Sequence, residues 1–322
     1  MVTISIVIPL FNKAAYVLDT MQALMSQLGS EDEIIVVDDC STDDSTALVE
    51  RLTSDQVHLL RMPMNSGPAT ARNAGVVNAK GHYVLFFDAD DQPHPKMLEV
   101  LRQCIAKHPA ESLFAFDLAF EARGEWIDLE RPKLGYSTDT HVLEPDEFVR
   151  SCLRGKPLCT ASSTCVRTTA LMVAGGFQDG LRYCEDPELW ARLSARHSIV
   201  HIESTLAIYR NVPLSLSYSQ RAQPGSVHPY VMTLLALSRS PSDAYHRLAR
   251  SLITKNTVFS VTMGGSRLAM MSYLQTVKPV LPSLHFLALR ILAMTPRVFL
   301  RVPFALRSRL ARMRLKNRSL GV

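Results

Sequence analysis

The sequence predicts an α/β protein built on a mostly parallel mixed sheet flanked by helices, with a helical, basic extension at its carboxyl end. Two observations lead to this fold class. In the first hundred residues, short apolar runs typical of buried strands alternate with segments whose apolar residues recur at helical spacing. From about residue 220 onward, helical spacing dominates. We therefore expect a sheet domain over residues 1–218 and a helical region over residues 219–322.

The strands and helices of the first hundred residues follow one another in the order that a parallel sheet requires. Residues 4–8 form a mostly apolar run, with Ser5 as its one polar residue, that ends at Pro9, and residues 34–37 and 83–87 form apolar runs as well. Segments with helical spacing separate these runs, which is the pattern of βαβ units. In such sheets, ligands bind where the loops leave the carboxyl ends of the strands.

The charges of the chain are segregated along the sequence. Residues 1–203 hold 29 of the 30 acidic residues and 18 of the 35 basic residues, whereas residues 204–322 hold one acid and 17 bases. A fold does not require such a split, but an anionic partner attracts it. Residues 284–318 carry nine bases and no acid among apolar residues, with few aromatic residues for base stacking. We expect this segment to bind an anionic membrane surface and not nucleic acid; the alternative is a helical subdomain whose arginines pair with the acidic half.

Cysteine usage and hydropathy indicate the compartment. The six cysteines form no CxxC pair, no secretory leader precedes the first strand, and no apolar run is long enough to span a bilayer. These features predict reduced thiols in the cytoplasm, with the protein peripheral on the inner face of the cell membrane.

Three carboxylates follow the strand-like run at residues 83–87, in the sequence Asp88-Ala89-Asp90-Asp91. Mg²⁺ and Mn²⁺ prefer carboxylate oxygen and commonly use one or two carboxylates together with substrate phosphates. The segment is therefore a candidate metal site. The alternative is a solvated acidic turn in which Asp88 caps a helix.

Two further segments carry candidate ligands for a nucleotide. Asp38 and Asp39 end the second strand, where carboxylates can accept hydrogen bonds from a base or from ribose hydroxyls. The same loop holds good helix caps, so we assign Asp39 to the ligand and Asp43 to capping a helix that begins near Ser45. Arg72 lies in a run of small residues that would allow close approach to phosphate; the alternative is a solvated surface arginine.

The sequence Cys184-Glu185-Asp186-Pro187 supplies a candidate general base. A carboxylate here could remove the proton from an acceptor hydroxyl. However, Asp186 before Pro187 also has the pattern of a helix N-cap followed by proline at the first helical position. The residues alone favour capping.

Taken in order, these segments resemble the inverting glycosyltransferases of family 2, which have the GT-A fold. The resemblance covers residues 3–215 and rests on five segments: residues 6–13 (IVIPLFNK), 36–43 (VVDDCSTD), 65–73 (NSGPATARN), 87–91 (FDADD) and 184–186 (CED). It implies a donor-binding set, a metal pair and a catalytic pair. These are Pro9, Phe11, Asn12, Asp38, Asp39, Arg72 and Asp88 for the donor, Asp88 and Asp90 for Mn²⁺ or Mg²⁺, and Asp186 with Glu185 for catalysis.

The resemblance also implies a reaction and a setting. Residues 1–110 would bind the nucleotide-sugar donor, usually a uridine diphosphate sugar, and residues 111–218 the acceptor, a glycan or a lipid-linked molecule of surface polysaccharide biosynthesis. The Gln-x-x-Arg-Trp pattern of processive relatives is missing, which predicts transfer of one sugar, or a few, per acceptor. Two alternatives remain: a degenerate protein that binds nucleotide sugars, and a sugar-phosphate nucleotidyltransferase, although the lysine-containing, glycine-rich loop of the latter is not evident.

Overall fold

The computed structural model describes residues 2–52, 54–122, 125–127, 137–181, 183–210, 212, 229–240, 242–263 and 266–295. The chain forms two compact units, residues 1–220 and 221–322. The predicted boundary after residue 218 and the basic segment 296–318 both lie outside the described residues, so they stay predictions.

Within the described residues, ten strands form one sheet in the first unit. Their bounds are Ile4–Leu10 (β1), Glu33–Asp38 (β2), Val57–Arg61 (β3), Tyr83–Phe86 (β4), Gln92–Pro93 (β5), Leu113–Ala122 (β6), Glu125–Ile127 (β7), Thr140–Leu143 (β8), Thr164–Arg167 (β9) and Ile199–Arg210 (β10). The strand order is β3-β2-β1-β4-β9-β6-β10-β5, with β7 added beside β6 and β8 beside β10.

The first four strands form the parallel half of this sheet. Ile6 at the centre of β1 pairs with Ile34 on one side and with Leu85 on the other, both in parallel register. The other half is mixed, because β9 is antiparallel to both β4 and β6 whereas β6 and β10 are parallel. The predicted fold class, a mixed sheet flanked by helices, is confirmed.

Seven helices are described in the first unit. They are Val17–Met25 (α1), Ser45–Glu50 (α2), Pro68–Asn78 (α3), Met97–Lys107 (α4), Glu147–Arg154 (α5), Thr168–Val173 (α6) and Glu185–Ser194 (α7). Helix α2 begins at Ser45, as predicted. Helix α3 lies so close to β1 that a Cβ added to Gly75 would stand 2.4 Å from Cγ1 of Val7, so only glycine fits there.

Strand β1 is buried on both faces, as expected for a central parallel strand. Ile4, Ile6 and Ile8 pack into one core cluster with apolar residues of α1 and α4. Val7 points to the other face, where Gly75 of α3 contacts it. This packing fixes β1 and its neighbours firmly, so the loops at their carboxyl ends start from well-defined positions.

The described residues of the second unit form four α-helices: Pro229–Leu237 (α8), Ala244–Met263 (α9), Arg267–Val277 (α10) and Ser283–Met294 (α11). In the part of the chain that the structure describes, every helix is too short or too polar to cross a membrane. None of the six cysteines, all of which lie in the described part of the first unit, forms a disulfide.

Candidate active site

The predicted site residues lie at the carboxyl ends of three adjacent parallel strands, β2, β1 and β4, and at the start of α7. Pro9 belongs to β1, while Phe11 and Asn12 follow it; Asp38 ends β2 and Asp39 follows it; the acidic segment 88–91 follows β4. Adjacent parallel strands bring their carboxyl ends to one edge. The candidate donor, metal and catalytic residues therefore belong to one region of the first unit.

A set of hydrogen bonds connects the loop after β1 to the loop after β2. Asn12 has a left-handed backbone with φ of +52°, and its backbone N–H donates to the Ser41 hydroxyl at 3.1 Å. Its side-chain oxygen accepts from the Thr42 N–H at 2.8 Å. The backbone N–H of Lys13 donates to the Ser45 hydroxyl at 2.7 Å. Asn12 therefore braces the loop in this structure, while its predicted role in donor binding stays a prediction.

The carboxylates of the loop after β2 also hold backbone in place. Asp39 accepts from the N–H groups of Ser66 and Gly67, at 2.7 and 2.8 Å, and so fixes the entry into α3. Each oxygen keeps a second lone pair through which a ligand could still bind. Asp43 accepts hydrogen bonds from the hydroxyl of Ser45 and from the N–H groups of Ser45 and Ala14. Burial opposes the charge of Asp43, but these hydrogen bonds, that of the hydroxyl first, outweigh it and lower the pKa of its carboxyl.

Arg72 lies at the centre of the site, and the alternative of a solvated surface arginine is wrong. The residue is 3% exposed, donates from Nη2 to Oδ1 of Asp88 at 2.7 Å, and donates from Nη1 to Oε1 of Glu185 at 2.8 Å. Its guanidinium also stacks 5.5 Å from the ring centre of Phe177. Burial alone would lower the pKa of Arg72, but the charges of Asp88, Glu185 and Asp186 outweigh it and raise the pKa, so the cation is permanent. Arg72 thus joins the end of β4 to the start of α7.

The acidic segment after β4 is buried, so the alternative of a solvated turn is wrong for its last two carboxylates. Asp90 is 9% exposed and Asp91 is 1% exposed. Asp90 pairs with the ammonium of Lys13. Burial raises the pKa of Asp90, with Lys13 acting in the opposite direction. Burial, followed by the charges of Asp88 and Asp90, raises the pKa of Asp91 well above its usual range.

Two hydroxyls brace the backbone of this segment. The Thr20 hydroxyl donates to the carbonyl oxygens of Ala89 and Asp91, at 3.0 and 2.8 Å, and the N–H of Asp88 donates to the Ser162 hydroxyl at 3.0 Å. These bonds fix the direction in which the carboxylates point. Asp88 stays partly exposed, with 28% of its side chain accessible.

The carboxylates of Asp88 and Asp90 fit a hard divalent cation by their chemistry, since both are oxygen donors two residues apart at a strand end. In the described part of the chain, no group of three or more His, Cys, Asp or Glu side chains could hold a metal. A cation at this place would need further oxygen ligands. A bound diphosphate is the usual source of such ligands for Mg²⁺.

Helix α7 begins at Glu185, two residues before the start at Pro187 that the aspartate–proline pattern predicts. Cys184, with a left-handed φ of +57°, is the N-cap, so Asp186 is the second residue of the helix, and the prediction that Asp186 is the N-cap is wrong. The first turn therefore contains three acids, of which Glu185 is bonded to Arg72 and Glu188 to Arg192. Burial, then the charge of Glu185, raises the pKa of Asp186 to about 8.

These contacts distinguish the two candidate catalytic carboxylates. The carboxylate of Glu185 is engaged by a buried guanidinium, whereas Asp186 has a raised proton affinity in the range where a general base works near neutral pH. The ion pair of Glu185 and the raised pKa of Asp186 therefore favour Asp186 as the base and Glu185 as a group that tunes it.

A turn at Gly175 and Gly176 attaches the segment before α7 to α3. Asn73 of α3 exchanges two hydrogen bonds with the backbone of Phe177, both at 2.8 Å. Phe177 in turn packs edge-on against Phe86 of β4 and against Trp190 of α7. This cluster positions the start of α7 beside β4.

The sequence did not assign several residues that shape the site. Lys13 lies within one of the five matching segments, so its position was visible, but the pattern gave it no partner. Asn73 also lies within a matching segment, whereas Thr20 and Ser162 lie outside all five. These three residues act through bonds to distant backbone, and a single polar residue gives no sequence signal that identifies such a bond.

Comparison with known proteins gives a consistent result. Residues 5–154 match the profile described as glycosyl transferase family 2. The chain is 26% identical over 211 residues to an uncharacterized glycosyltransferase of Rickettsia felis, covering 64% of this chain and 33% of that protein. It is 35% identical over 95 residues to the succinoglycan biosynthesis protein ExoO of Rhizobium meliloti, covering 30% of this chain and 27% of that protein. The matched part is thus about a third or less of either relative.

Solved structures share the fold. The S. aureus TarS 1–349 complex with UDP-GlcNAc superposes with a TM-score of 0.66 at 19% identity, covering 88% of this chain and 82% of that chain. The mannosyltransferase PcManGT from Pyrobaculum calidifontis, in complex with GDP-Man and Mn²⁺, gives a TM-score of 0.55 at 15% identity, covering 92% and 86%. At such identities the likeness is one of fold.

Proposed function

Because this chain belongs to glycosyl transferase family 2, we propose that it transfers a single sugar from a nucleotide diphosphate donor, a uridine diphosphate sugar, with inversion at the anomeric carbon. The acceptor is a glycan or a lipid-linked molecule. The observation that carries the proposal is the buried Arg72, which joins Asp88 of the donor side to Glu185 beside the candidate base Asp186. The guanidinium of Arg72 therefore connects the donor-side loop after β4 to the segment that carries the candidate base.

The reaction is a single displacement in which Asp186 acts as the general base. Asp186 takes the proton of the acceptor hydroxyl while that oxygen forms its bond to the anomeric carbon, and the bond from this carbon to the diphosphate oxygen breaks. Its position in the first turn of α7 and its raised pKa support this role. No covalent nucleophile is needed.

The donor side is formed by the loops after β1, β2 and β4. The exposed ring of Phe11, with Pro9, and the carboxylates of Asp38 and Asp39 are proposed to contact the base and ribose. Asp88 and Asp90 would hold Mn²⁺ or Mg²⁺, which when bound neutralises charge on the leaving diphosphate. The Mn²⁺ named with PcManGT, which shares this fold, supports that assignment.

The setting is proposed to be surface polysaccharide biosynthesis in the cytoplasm, at the inner face of the cell membrane. ExoO is named for succinoglycan biosynthesis, and TarS was solved with UDP-GlcNAc. The name of ExoO supports a role in polysaccharide biosynthesis, and the complex of TarS supports a nucleotide-sugar donor.

Helix α11 supports the membrane part of this proposal. Four large apolar residues on one face of α11 are exposed, by 52% to 83%: Leu284, Leu287, Ile291 and Met294. The opposite face, with Phe286, Leu289 and Ala293, is buried. Exposed apolar stripes of this kind mark interaction sites, and the sequence that follows, residues 296–318, holds eight bases and no acid. An anionic bilayer matches both the stripe and the charge.

Helix α11 would lie in the membrane interface and not cross it. Its 12 residues span roughly 18 Å, which is less than the roughly 30 Å of a bilayer core. The proposed partner is therefore the headgroup region of an anionic leaflet.

Vesicle sedimentation tests this membrane contact. We expect the full chain to pellet with vesicles of phosphatidylglycerol and phosphatidylcholine, and the variant Leu287→Ser/Ile291→Ser to bind about tenfold more weakly, because burial of each large apolar side chain is lost. Met172→Ser/Val173→Ser, which changes two exposed apolar residues of α6, is the matched control and should bind like the wild type. Equal binding by the two variants would overturn the role of α11, and no binding by the wild type would favour a purely structural role.

Product identification tests the enzymatic proposal. The protein is incubated with uridine diphosphate sugars, Mn²⁺ and a panel of bacterial glycan and lipid-linked acceptors, and the nucleotide products are separated. Release of uridine diphosphate with addition of one sugar mass to an acceptor is expected. In a parallel incubation with added pyrophosphate and no acceptor, formation of uridine triphosphate and a sugar 1-phosphate would instead identify a nucleotidyltransferase. Donor binding without turnover across the panel would identify a degenerate binding protein.

A further inference from the structure

The ion pair between Lys13 and Asp90 has no part in the reaction described above. The ammonium of Lys13 contacts Oδ2 of Asp90, and both side chains are largely buried, at 20% and 12% exposed. Asp90 is the carboxylate that the proposed function assigns first to a divalent cation. The ammonium of Lys13 therefore occupies a carboxylate oxygen of a residue that is proposed to bind the metal.

The two partners of this pair differ in freedom to move. The backbone of Asp90 is held between Ala89 and Asp91, whose carbonyl oxygens both accept the hydroxyl of Thr20, at 3.0 and 2.8 Å. The backbone of Lys13 is anchored as well, by the Ser45 hydroxyl at 2.7 Å. However, the ammonium of a lysine stands at the end of a flexible four-carbon stem and can turn away without moving the backbone. Exchange at Asp90 would therefore occur by movement of the Lys13 side chain.

We propose that Lys13 is a positioning residue that couples metal binding to donor binding. Lys13 holds Asp90 while the donor is absent and releases it when a nucleoside diphosphate offers the ammonium new oxygen partners. The ammonium of Lys13 and a divalent cation repel each other when both lie at the carboxylate of Asp90. A divalent cation that binds alone has to displace the ammonium into water, whereas a diphosphate that binds with the cation gives the ammonium new oxygen partners. Mn²⁺ and nucleoside diphosphate should then bind cooperatively, with reciprocal gains in affinity.

The inference rests on the proposed function only in its assignment of Asp90 to the metal. Its readout is binding, which needs no turnover and no acceptor. A failure of the binding test with uridine diphosphate release intact would therefore overturn the role of Lys13 alone, and a failure of transfer with coupled binding intact would overturn the transferase alone.

Titration calorimetry with Mn²⁺, in the presence and absence of uridine diphosphate, tests the coupling. In the wild type, uridine diphosphate should tighten Mn²⁺ binding by about tenfold or more. Lys13→Met should bind Mn²⁺ alone about tenfold more tightly than the wild type, because the competing charge is gone, and should lose most of the gain from uridine diphosphate. A residue that only supports the fold would not improve metal affinity when it is removed.

Lys96→Met is the matched control, since Lys96 pairs with Glu99 on the surface of the same unit. It should bind Mn²⁺ like the wild type in both conditions. Unchanged or weaker binding of Mn²⁺ alone by Lys13→Met would overturn the proposal. So would a wild type in which uridine diphosphate does not tighten Mn²⁺ binding, a result that stands even if Lys13→Met does not fold.

Discussion

Arg72 is the residue whose surroundings differ most from those of an ordinary surface arginine. It is buried, and its two carboxylate partners come from chain segments far apart in sequence, Asp88 after β4 and Glu185 in α7. Buried charges of this kind are strongly destabilising when one partner is removed, because the remaining charges stay without compensation. Arg72 therefore has a structural role in addition to any contact with the nucleotide.

Replacement of Arg72 by methionine should lower the free energy of unfolding by about 3–5 kcal/mol, because Asp88 and Glu185 lose their counterion. Urea unfolding followed by circular dichroism measures this. Arg61→Met, which breaks an exposed pair with Glu50, should cost less than about 1 kcal/mol. Similar losses for the two variants would show that Arg72 does not hold the site together.

Glu185 should act on the reaction through the proton affinity of Asp186. Burial and the charge of Glu185 raise the pKa of Asp186, and a general base is active only when it has lost its proton. The rate therefore rises as pH increases through this pKa. In Glu185→Gln the negative charge that helps to raise the pKa of Asp186 is removed. This pKa therefore falls, and the acid limb of the kcat/KM profile moves to lower pH. The surface variant Glu99→Gln should leave the acid limb at the same pH as in the wild type. A shift of the acid limb to higher pH in Glu185→Gln would contradict this role of Glu185.

Among the connecting elements, the turn at Gly175 and Gly176 determines where α7 starts relative to α3. Both glycines have left-handed backbones, with φ of +79° and +66°. Only Gly176 also faces another residue closely, since an added Cβ would stand 2.6 Å from Oδ1 of Asn73.

The two glycines provide a matched pair for mutation. Gly175→Ala should cost about 1–2 kcal/mol of unfolding free energy, the usual strain of a left-handed residue. Gly176→Ala should cost more than Gly175→Ala, because Asn73 has to move and its bonds to Phe177 weaken, and its rate of sugar transfer should fall further. Urea unfolding and initial rates measure both effects. Equal behaviour of the two variants would exclude the Asn73 contact as the cause.

How far the sequence predicts each element depends on how local its signal is. Strands β1, β2 and β4 were predicted because buried parallel strands appear as nearly continuous apolar runs. The antiparallel insertion of β9 between β4 and β6 could not be predicted, since such pairing depends on contacts between distant residues. The start of α7 was predicted two residues late, because the left-handed Cys184 is the N-cap in place of Asp186.

The same distinction holds for the site. Asp88, Asp90 and Asp186 could be selected from the sequence because they follow recognisable segments. The partners of Asp88 and Asp90 could not be selected, since Arg72 and Lys13 contact them only after β1, β4 and α3 have packed together. Pairing of charges across the fold carries no pattern in a single sequence.

At the scale of the whole molecule, residues 204–322 hold 17 bases and one acid, and this local excess of bases should make membrane binding depend on salt. Raising the salt from about 0.1 M to about 1 M shortens the Debye length from about 10 Å to about 3 Å, which removes most of the attraction between bases and an anionic surface. Apolar burial by α11 is not screened, so weaker binding should persist at high salt. Binding to neutral vesicles as strong as to anionic vesicles at low salt would contradict the electrostatic part.

Sugar transfer by the variant Asp186→Asn tests the proposed reaction most directly. The asparagine keeps the size of the side chain but cannot accept the acceptor proton. Calorimetry should show that the variant still binds uridine diphosphate in the presence of Mn²⁺, while its transfer rate falls by about 10²–10⁴-fold, the usual contribution of a general base. Transfer within about tenfold of the wild-type rate, with donor binding intact, would contradict the assignment of Asp186 as the base.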